Sequence, residues 1–475
     1  MRHLRRSCSK APRTAEKYEF DFGRPGELHS APAFEGEDGI VMRYALDDAE
    51  INGQLGALLP AHLADLIDIA VDVYMADRLA VRGATDRSSD WHRTVQLTIP
   101  VRRIDLWQRA DVQNGLSAAL AFLTEDDWRL RFRQRPASFL RVAESQQPLF
   151  PDQFAGPVHV SLLSGGLDSF VGTAAAIAHN PHSHFVCVSG VANQRHSDRQ
   201  RQEVRSLKNL HPLSLTHIRV ACWLKDADEV RQEPTRRTRG FLFLVLGAVA
   251  ALAARADRLW LYENGIGALN LPFAGAELGV TTSRSVHPKT LDLMGALVSL
   301  VSGCVFTIRN GSVFQTKAQM CSDPAISPVF DTIPATFSCD SFPLRRQGAS
   351  QCGVCTSCLL RRLALFNAGL QDRDSRDYRY DVYSPGALDE RHLRGAFEMD
   401  WQVARLAAAL GQEDAWLGLL SEFPSVSLAQ QSLVRQLVLP ASVVAARLVD
   451  LYRRHCDEWC RFPGSLLAQV GRKAA

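Results

Sequence analysis

The chain has 475 residues, 46% apolar and 22% charged, with 31 Gly and 22 Pro. That composition supplies apolar material for two or three cores and excludes disorder, collagen and simple repeats as whole-chain readings. Its 54 Lys plus Arg against 51 Asp plus Glu leave +3, too near neutral to mark a nucleic-acid binder or a membrane-surface protein by bulk charge. Only seven of the basic residues are Lys, which a codon-biased genome explains more simply than selection for phosphate binding. Eleven cysteines are an odd count; seven scatter while Cys339, Cys352, Cys355 and Cys358 bunch, which predicts a reduced, cytoplasmic setting. The longest apolar run, residues 241–254, is too short to cross a bilayer. The basic N-terminus, MRHLRRSCSKAPRTAEK, has no apolar segment behind it, so neither a secretory signal nor a membrane partner is expected.

In chain order, residues 1–155 mix a helical stretch, LPAHLADLIDIAVDVYMADRLA, with an alternating run, RTVQLTIPVRRIDLW, and reach a Pro-marked hinge, which predicts an N-terminal α+β domain. In WRLRFRQR, Trp128, Leu130 and Phe132 alternate with Arg129, Arg131 and Arg133. A strand there buries one face and shows guanidinium groups on the other, a solvated face or a surface for an acidic partner or nucleic acid.

Over residues 156–378 short apolar runs alternate with helical segments, the pattern of an α/β domain with a parallel sheet covered on both faces. Strand candidates are VHVSLL, HFVCVSG, LTHIRVA, RLWLYEN and CVFTI; helices are expected to begin near Asp168, Arg199, Thr238 and Lys289. The apolar run 241–254 is a helix of the core. Residues 379–475 read as a helical C-terminal extension with no legible chemistry.

VSLLSGGLDSF carries the most chemistry. An apolar strand ends at Leu163, Gly165 and Gly166 permit a turn whose amides point inward at an anion, and a helix follows with its positive end at the same spot. Ser164 and Ser169 add hydroxyls, so residues 164–169, Leu167 included, predict a phosphate cradle. No Gly-Lys-Ser/Thr follows, and G-x-G-x-x-G is absent. The segment SGGLDS resembles the PP-loop of the ATP pyrophosphatase superfamily, whose members split ATP between the α and β phosphates to activate a carbonyl or carboxyl oxygen. Asp168 beside a triphosphate is repulsive unless it caps the helix or holds Mg²⁺; the metal-linked role is the expectation, capping the alternative.

Further segments resemble the QueC family of 7-cyano-7-deazaguanine synthases, in family order. They are Gln194-Arg195-His196, like its G-Q-R-H; TRGFLFL with Arg239; YENG with Asn264, like its G-V-N-A; and TKAQM with Lys317. What the resemblance implies is an ATP site beyond the carboxyl ends of the strands, with Arg195, Arg239 and Lys317 as the cations that stabilise the departing pyrophosphate.

Four clustered thiols suit a closed, tetrahedral structural zinc. Cys339, Cys352, Cys355 and Cys358, with Arg361, also resemble the family's C…C-G-x-C-x-x-C-x-x-R; an iron–sulfur cluster or free thiols are the alternatives. The family's D-Y-S-G-Y-P-D-C-R segment, which holds the base substrate, is replaced here by GIGALNLPFAGAELGVTTSRSVHPKTLDL. Ser285, His287 and Lys289 in that loop are candidates for phosphate or an acyl oxygen, while a turn closed by His287-Pro288 before a helix explains them equally well.

The enlarged architecture looks like the QueC-like proteins of bacterial anti-phage systems, the QatC type. The resemblance therefore implies an ATP-dependent ligase that uses ATP, Mg²⁺ and Zn²⁺. It would adenylate the carboxylate of a 7-deazaguanine or related acid and pass the acyl group to ammonia or an amine, with an amine on a partner protein of a defence operon as one acceptor. Two other readings are kept: tRNA sulfur transfer, which needs a reactive thiol, and a nucleotide-binding scaffold without turnover.

Overall fold

The computed structural model describes residues 16–22, 33–35, 41–56, 58–82, 92–136, 154, 156–191, 194–211, 214–225, 231–234, 237–273, 284–340, 351–374, 378–383 and 388–465. The N-terminal third contributes β1 (Glu16–Phe22), β2 (Ala33–Glu35), β3 (Val41–Asp47), α1 (Ala49–Leu55), α2 (Ala61–Leu79), β4 (Arg93–Val101), α3 (Ile104–Trp107), α4 (Ala110–Thr124) and β5 (Asp127–Gln134). The middle contributes β6 (Val158–Leu162), α5 (Leu167–His179), β7 (His184–Val191), α6 (Gln194–Leu210), β8 (Leu215–Leu224), α7 (Arg239–Ala253), β9 (Arg258–Leu261), α8 (Gly265–Leu269), α9 (Pro288–Ser302), β10 (Thr307–Asn310), α10 (Lys317–Cys321) and α11 (Thr356–Asn367). Helices α12 (Glu390–Leu410), α13 (Ala415–Glu422), α14 (Val426–Leu437) and α15 (Ala441–Arg461) follow.

These strands form one sheet in the order β10-β9-β6-β7-β8-β3-β2-β1-β4-β5. The five from β10 to β8 are mutually parallel. Their apolar runs are buried on both faces because α7 and α9 cover one face and α5 and α6 the other, as a parallel sheet requires. Helix α7 shows why 241–254 is apolar all round: it lies between the sheet and α2, with Phe241, Val245, Ala248 and Val249 fully buried.

The segment expected as a separate N-terminal domain adds its strands to this sheet. Strand β3 pairs antiparallel with β8, Tyr44 opposite Leu224 and Asp47 opposite Ala221, and one apolar core runs through both parts. A buried ion network reinforces the junction. Arg93 meets Asp77 and Asp126 at 2.6 Å each, Arg82 meets Asp126 at 2.5 Å, and Asp77 accepts from the Thr238 amide and hydroxyl just ahead of α7. Because these charges are held out of water, Arg93→Met is expected to cost about 3–5 kcal/mol by removing the guanidinium that Asp77 and Asp126 share, read from urea unfolding. On the edge strand β5, Arg129 and Arg131 are exposed as the alternation predicts, while Trp128 is buried.

The C-terminal helices build a further core that rests on the sheet's carboxyl side. Leu451 of α15 lies against Gly265, where a Cβ would come within 2.4 Å of it and 2.3 Å of the Val313 carbonyl.

Candidate active site

Strand β6 ends at Leu162, and the chain turns through Gly165, whose φ of +90° is open to glycine and strained for other residues. Gly166 precedes α5 as its N-cap. The turn is tied by its own serines: the Ser164 amide donates to Ser169 Oγ at 3.2 Å, the two hydroxyls lie 2.9 Å apart, and the Gly166 amide donates to Ser164 Oγ at 3.3 Å. Fully buried Gln200 of α6 donates to the Ser164 and Gly190 carbonyls, fastening the turn to the end of β7. The result is a glycine corner at the carboxyl end of the central strand, at the head of a 13-residue helix, which is an anion-binding arrangement.

Asp168 does not cap α5. It is 7% exposed, and its Oδ2 meets Lys317 Nζ at 2.8 Å and Asn264 Nδ2 at 3.2 Å. Asn264 also caps α8 by accepting from the Gly267 amide, and donates to Glu263 Oε1 at 2.8 Å. Three residues distant in sequence, Asp168, Asn264 and Lys317, therefore meet beneath the glycine corner, and Glu263, which sequence reasoning passed over, joins them. Its only signal was its place between the β9 strand end and Asn264. Burial and then the neighbouring Asp168 charge push the Glu263 carboxyl well above the ordinary carboxylate range. Burial opposes the charge of Lys317, but Asp168 and Glu263 outweigh it and hold the ammonium above the ordinary lysine value. Asp168 Oδ1 is buried and takes no hydrogen bond from a nitrogen or hydroxyl donor, while the Glu263 carboxyl hydrogen-bonds to Asp168 from alongside; a hard divalent cation is one further group such an oxygen could take.

Other expected site residues fall elsewhere. Lys317, expected to face phosphate, is instead the buried partner of Asp168, because the capping box of α10 turns it inward. Gln194, Arg195 and His196 are the first residues of α6 rather than a loop before it; their side chains lie outside the described residues. Arg239 opens α7 and is exposed, one turn ahead of Phe243, which packs on Gly190 at the sheet's carboxyl edge. His287 and Lys289 are not brought to the glycine corner. His287 caps α9, its Nδ1 accepting from the Lys289 amide, and its ring lies 5.5 Å from Phe122 of α4. Lys289 Nζ sits over that same Phe122 ring at 4.7 Å. Burial pushes His287 down to about 3, so it is a neutral cap. The turn-and-cap reading of this segment is the one the structure supports.

The four cysteines converge: Cys339, Cys352, Cys355 and Cys358 have sulfurs all within 4.8 Å of one another. The Cys352 amide donates to Cys339 Sγ and the Cys355 amide to Cys352 Sγ, each at 3.3 Å, as expected where backbone dipoles stabilise thiolates. Sulfur neighbours, Cys339 first, hold the Cys352 thiol far below its ordinary value. This donor set fits one tetrahedral soft-metal ion with no open position. Burial pushes the Cys187 and Cys321 thiols up to about 12 and makes both inert, while Cys304 and Cys460 are exposed.

The C-terminal extension also reaches the site. Glu458 of α15, 6% exposed, accepts from the Thr316 hydroxyl at 2.6 Å, beside Lys317. Burial raises Glu458 to about 7. Native protein therefore binds this proton more tightly than unfolded chain, and stability should fall as pH rises from about 4.5 to about 7. Glu458→Gln should flatten that slope by up to about 3 kcal/mol in urea midpoints taken across the window.

A cavity of about 410 Å³ lies between α5 and β9, lined by His159, Trp260, Tyr262, Gly172 and His179; none of residues 164–169 lines it.

The site is thus a glycine corner at the central strand of a parallel α/β sheet, with a buried carboxylate–lysine cluster beneath it and four converging cysteines beside it. No family model matches the chain. Over 242 residues it is 29% identical to the 7-cyano-7-deazaguanine synthase of Synechococcus sp. (strain RCC307), a match that covers 46% of this chain and 98% of that relative. The similarity supports a QueC-like relationship and a synthase-type role in general terms. Among the described residues no helix is long and apolar enough to cross a membrane.

Proposed function

We propose that the chain is a QueC-like, PP-loop ATP-dependent ligase that adenylates the carboxylate of a 7-deazaguanine or a related acid and then forms a carbon–nitrogen bond. The observation that carries this reading is the glycine corner joined to the N-terminus of α5, with the buried Asp168–Lys317 pair beneath it. A carboxylate oxygen of the substrate attacks the α-phosphorus of ATP, the α–β phosphoanhydride bond breaks, and pyrophosphate leaves. The nitrogen of ammonia or an amine then attacks the acyl carbon, AMP departs, and the nitrogen loses a proton.

The corner amides and Ser164 would bind the leaving phosphates more strongly as charge moves onto them, with Arg195 and Arg239 as the cations at the strand ends. Mg²⁺, when bound, would neutralise phosphate charge; Asp168 Oδ1 is the protein oxygen suited to hold it, with Lys317 as the residue that positions Asp168. The four cysteines would hold zinc as a structural ion. The protein is expected to carry one equivalent of zinc and no colour, and Cys352→Ser to lose that metal on gel filtration, by elemental analysis. A brown, iron-containing protein would defeat the assignment.

More than half of the chain lies outside the matched relative, and its enlarged architecture resembles the QatC type. On that resemblance we place it in anti-phage defence in the cytoplasm, with the acyl group passed to ammonia or to an amine of a partner protein. Burial disfavours Cys187 and Cys321 as the reactive thiol that tRNA sulfur transfer needs. Incubation with ATP, Mg²⁺ and candidate deazaguanine acids, followed by mass spectrometry, should give AMP, pyrophosphate and a condensed product. ATP bound without AMP would leave the scaffold reading in its place.

A further inference from the structure

We propose that residues 336–339 couple the four-cysteine site to the glycine corner, with Phe337 as a positioning residue, so that metal at the cysteines and a phosphate anion at the corner stabilise each other. The inference rests on the anion-binding reading of the corner given above.

Phe337 lies two residues before Cys339. Its amide donates to the Gly165 carbonyl at 3.2 Å, and it pairs with Gly166 as an isolated parallel bridge. Its ring occupies the space a side chain on Gly165 would need, 2.7 Å from where that Cβ would stand. Phe337 thus covers Gly165, and a single bridge has little strength of its own.

What fixes it comes from both sides. After Phe337, the Ser338 amide donates to Gln351 Oε1 at 2.8 Å, and Gln351, 1% exposed, directly precedes Cys352. Before it, Arg361 stands three residues beyond Cys358 with no exposed surface; it donates to Thr336 Oγ1 at 2.6 Å, to the Thr336 carbonyl at 3.3 Å and to the Ile333 carbonyl at 2.9 Å. Of these anchors, Gln351 is a direct neighbour of a cysteine in the knot and Arg361 belongs to the helix that carries Cys358, while Arg199 of α6 holds the Ala335 carbonyl at 2.8 Å. Drawing four thiolates onto one ion pulls Gln351 and Arg361 together and sets Phe337 over Gly165. Loss of the ion frees four sulfurs to separate, and Phe337 loses that support while the sheet beneath keeps its core. Coupling of this kind is reciprocal, so an anion held by the corner must in turn retain the metal.

The test uses the full-length, zinc-loaded protein and follows zinc release to a chromogenic chelator, alone and with saturating Mg-ATP or pyrophosphate; binding of each probe is measured separately by calorimetry. Release is expected to slow about tenfold with either probe, within the usual range of coupling between sites. Phe337→Ala should keep one zinc per chain and lose the slowing, and Phe337→Leu should restore part of it, which a merely structural role for the ring would not predict. Equal release rates in wild-type protein with the probe demonstrably bound would overturn the coupling and leave the proposed function standing. Full slowing in Phe337→Ala would overturn the assignment to Phe337. Failure of both probes to bind would overturn the anion-site reading and this inference with it.

Discussion

Asp168→Asn is expected to lower ATP-dependent AMP release by about a hundredfold to a thousandfold while leaving the protein folded, as judged by AMP chromatography beside a thermal melt. The amide keeps the shape of the carboxylate and an oxygen for Lys317 and Asn264, which reach Oδ2 at 2.8 and 3.2 Å, but it removes the negative charge that a divalent cation needs at Oδ1. Asp168→Ala should behave differently. It strands Lys317, 8% exposed, with Glu263 as its remaining neighbour, and a buried pair broken from one side costs about 3–5 kcal/mol. Lys317→Met should destabilise for the converse reason, by leaving two carboxylates together in the interior, and the double change Asp168→Asn with Lys317→Met should recover much of that loss. Undiminished AMP release in Asp168→Asn would remove Asp168 from the chemistry and leave it a structural ion.

The second large effect is expected from Gly165→Ala. The added methyl meets the Phe337 ring at 2.7 Å on a backbone at φ +90°, so the corner must rearrange at the point where its amides would face a phosphate. Calorimetric affinity for ATP should fall at least about a hundredfold, or about 2.7 kcal/mol, with zinc content unchanged. An unchanged affinity would place the anion elsewhere.

Much of this architecture was legible because short-range rules apply where the chain is repetitive. Apolar runs at 158–163, 184–190 and 215–221 read as strands in the sequence, and the sheet has strands at Val158–Leu162, His184–Val191 and Leu215–Leu224. The glycine pair between a buried strand and a helix could be assigned its place at once, since few other residues tolerate that turn. Four cysteines at such spacing have few alternatives to a shared centre. The boundaries slipped where local signals compete: α6 begins at Gln194 rather than Arg199, and β10 begins at Thr307, past the apolar Val305 and Phe306.

The identity of side chains around the glycine corner was not legible in the same way. Asn264 and Lys317 were singled out by likeness in family order, but nothing local shows that Lys317 turns inward to Asp168 or that Glu263 joins them, because Asn264 lies 96 positions and Lys317 149 positions beyond Asp168. His287 and Lys289 looked like ligands in an altered loop and are a cap and a cover for Phe122, a ring contributed by the N-terminal segment. The C-terminal helices carried no chemical signal, yet Glu458 and Leu451 brace the turns that hold Lys317 and Asn264.

Composition, periodicity and two compact motifs thus specified an α/β sheet, its glycine corner and a thiol knot, since each depends on neighbours within a dozen or so residues. The charge balance beneath the corner, the continuation of the sheet into the N-terminal strands, and the bridge from cysteine knot to glycine turn were settled only by packing. Desolvation makes a buried charge acceptable solely beside its partner, and which partner arrives is a property of the folded chain.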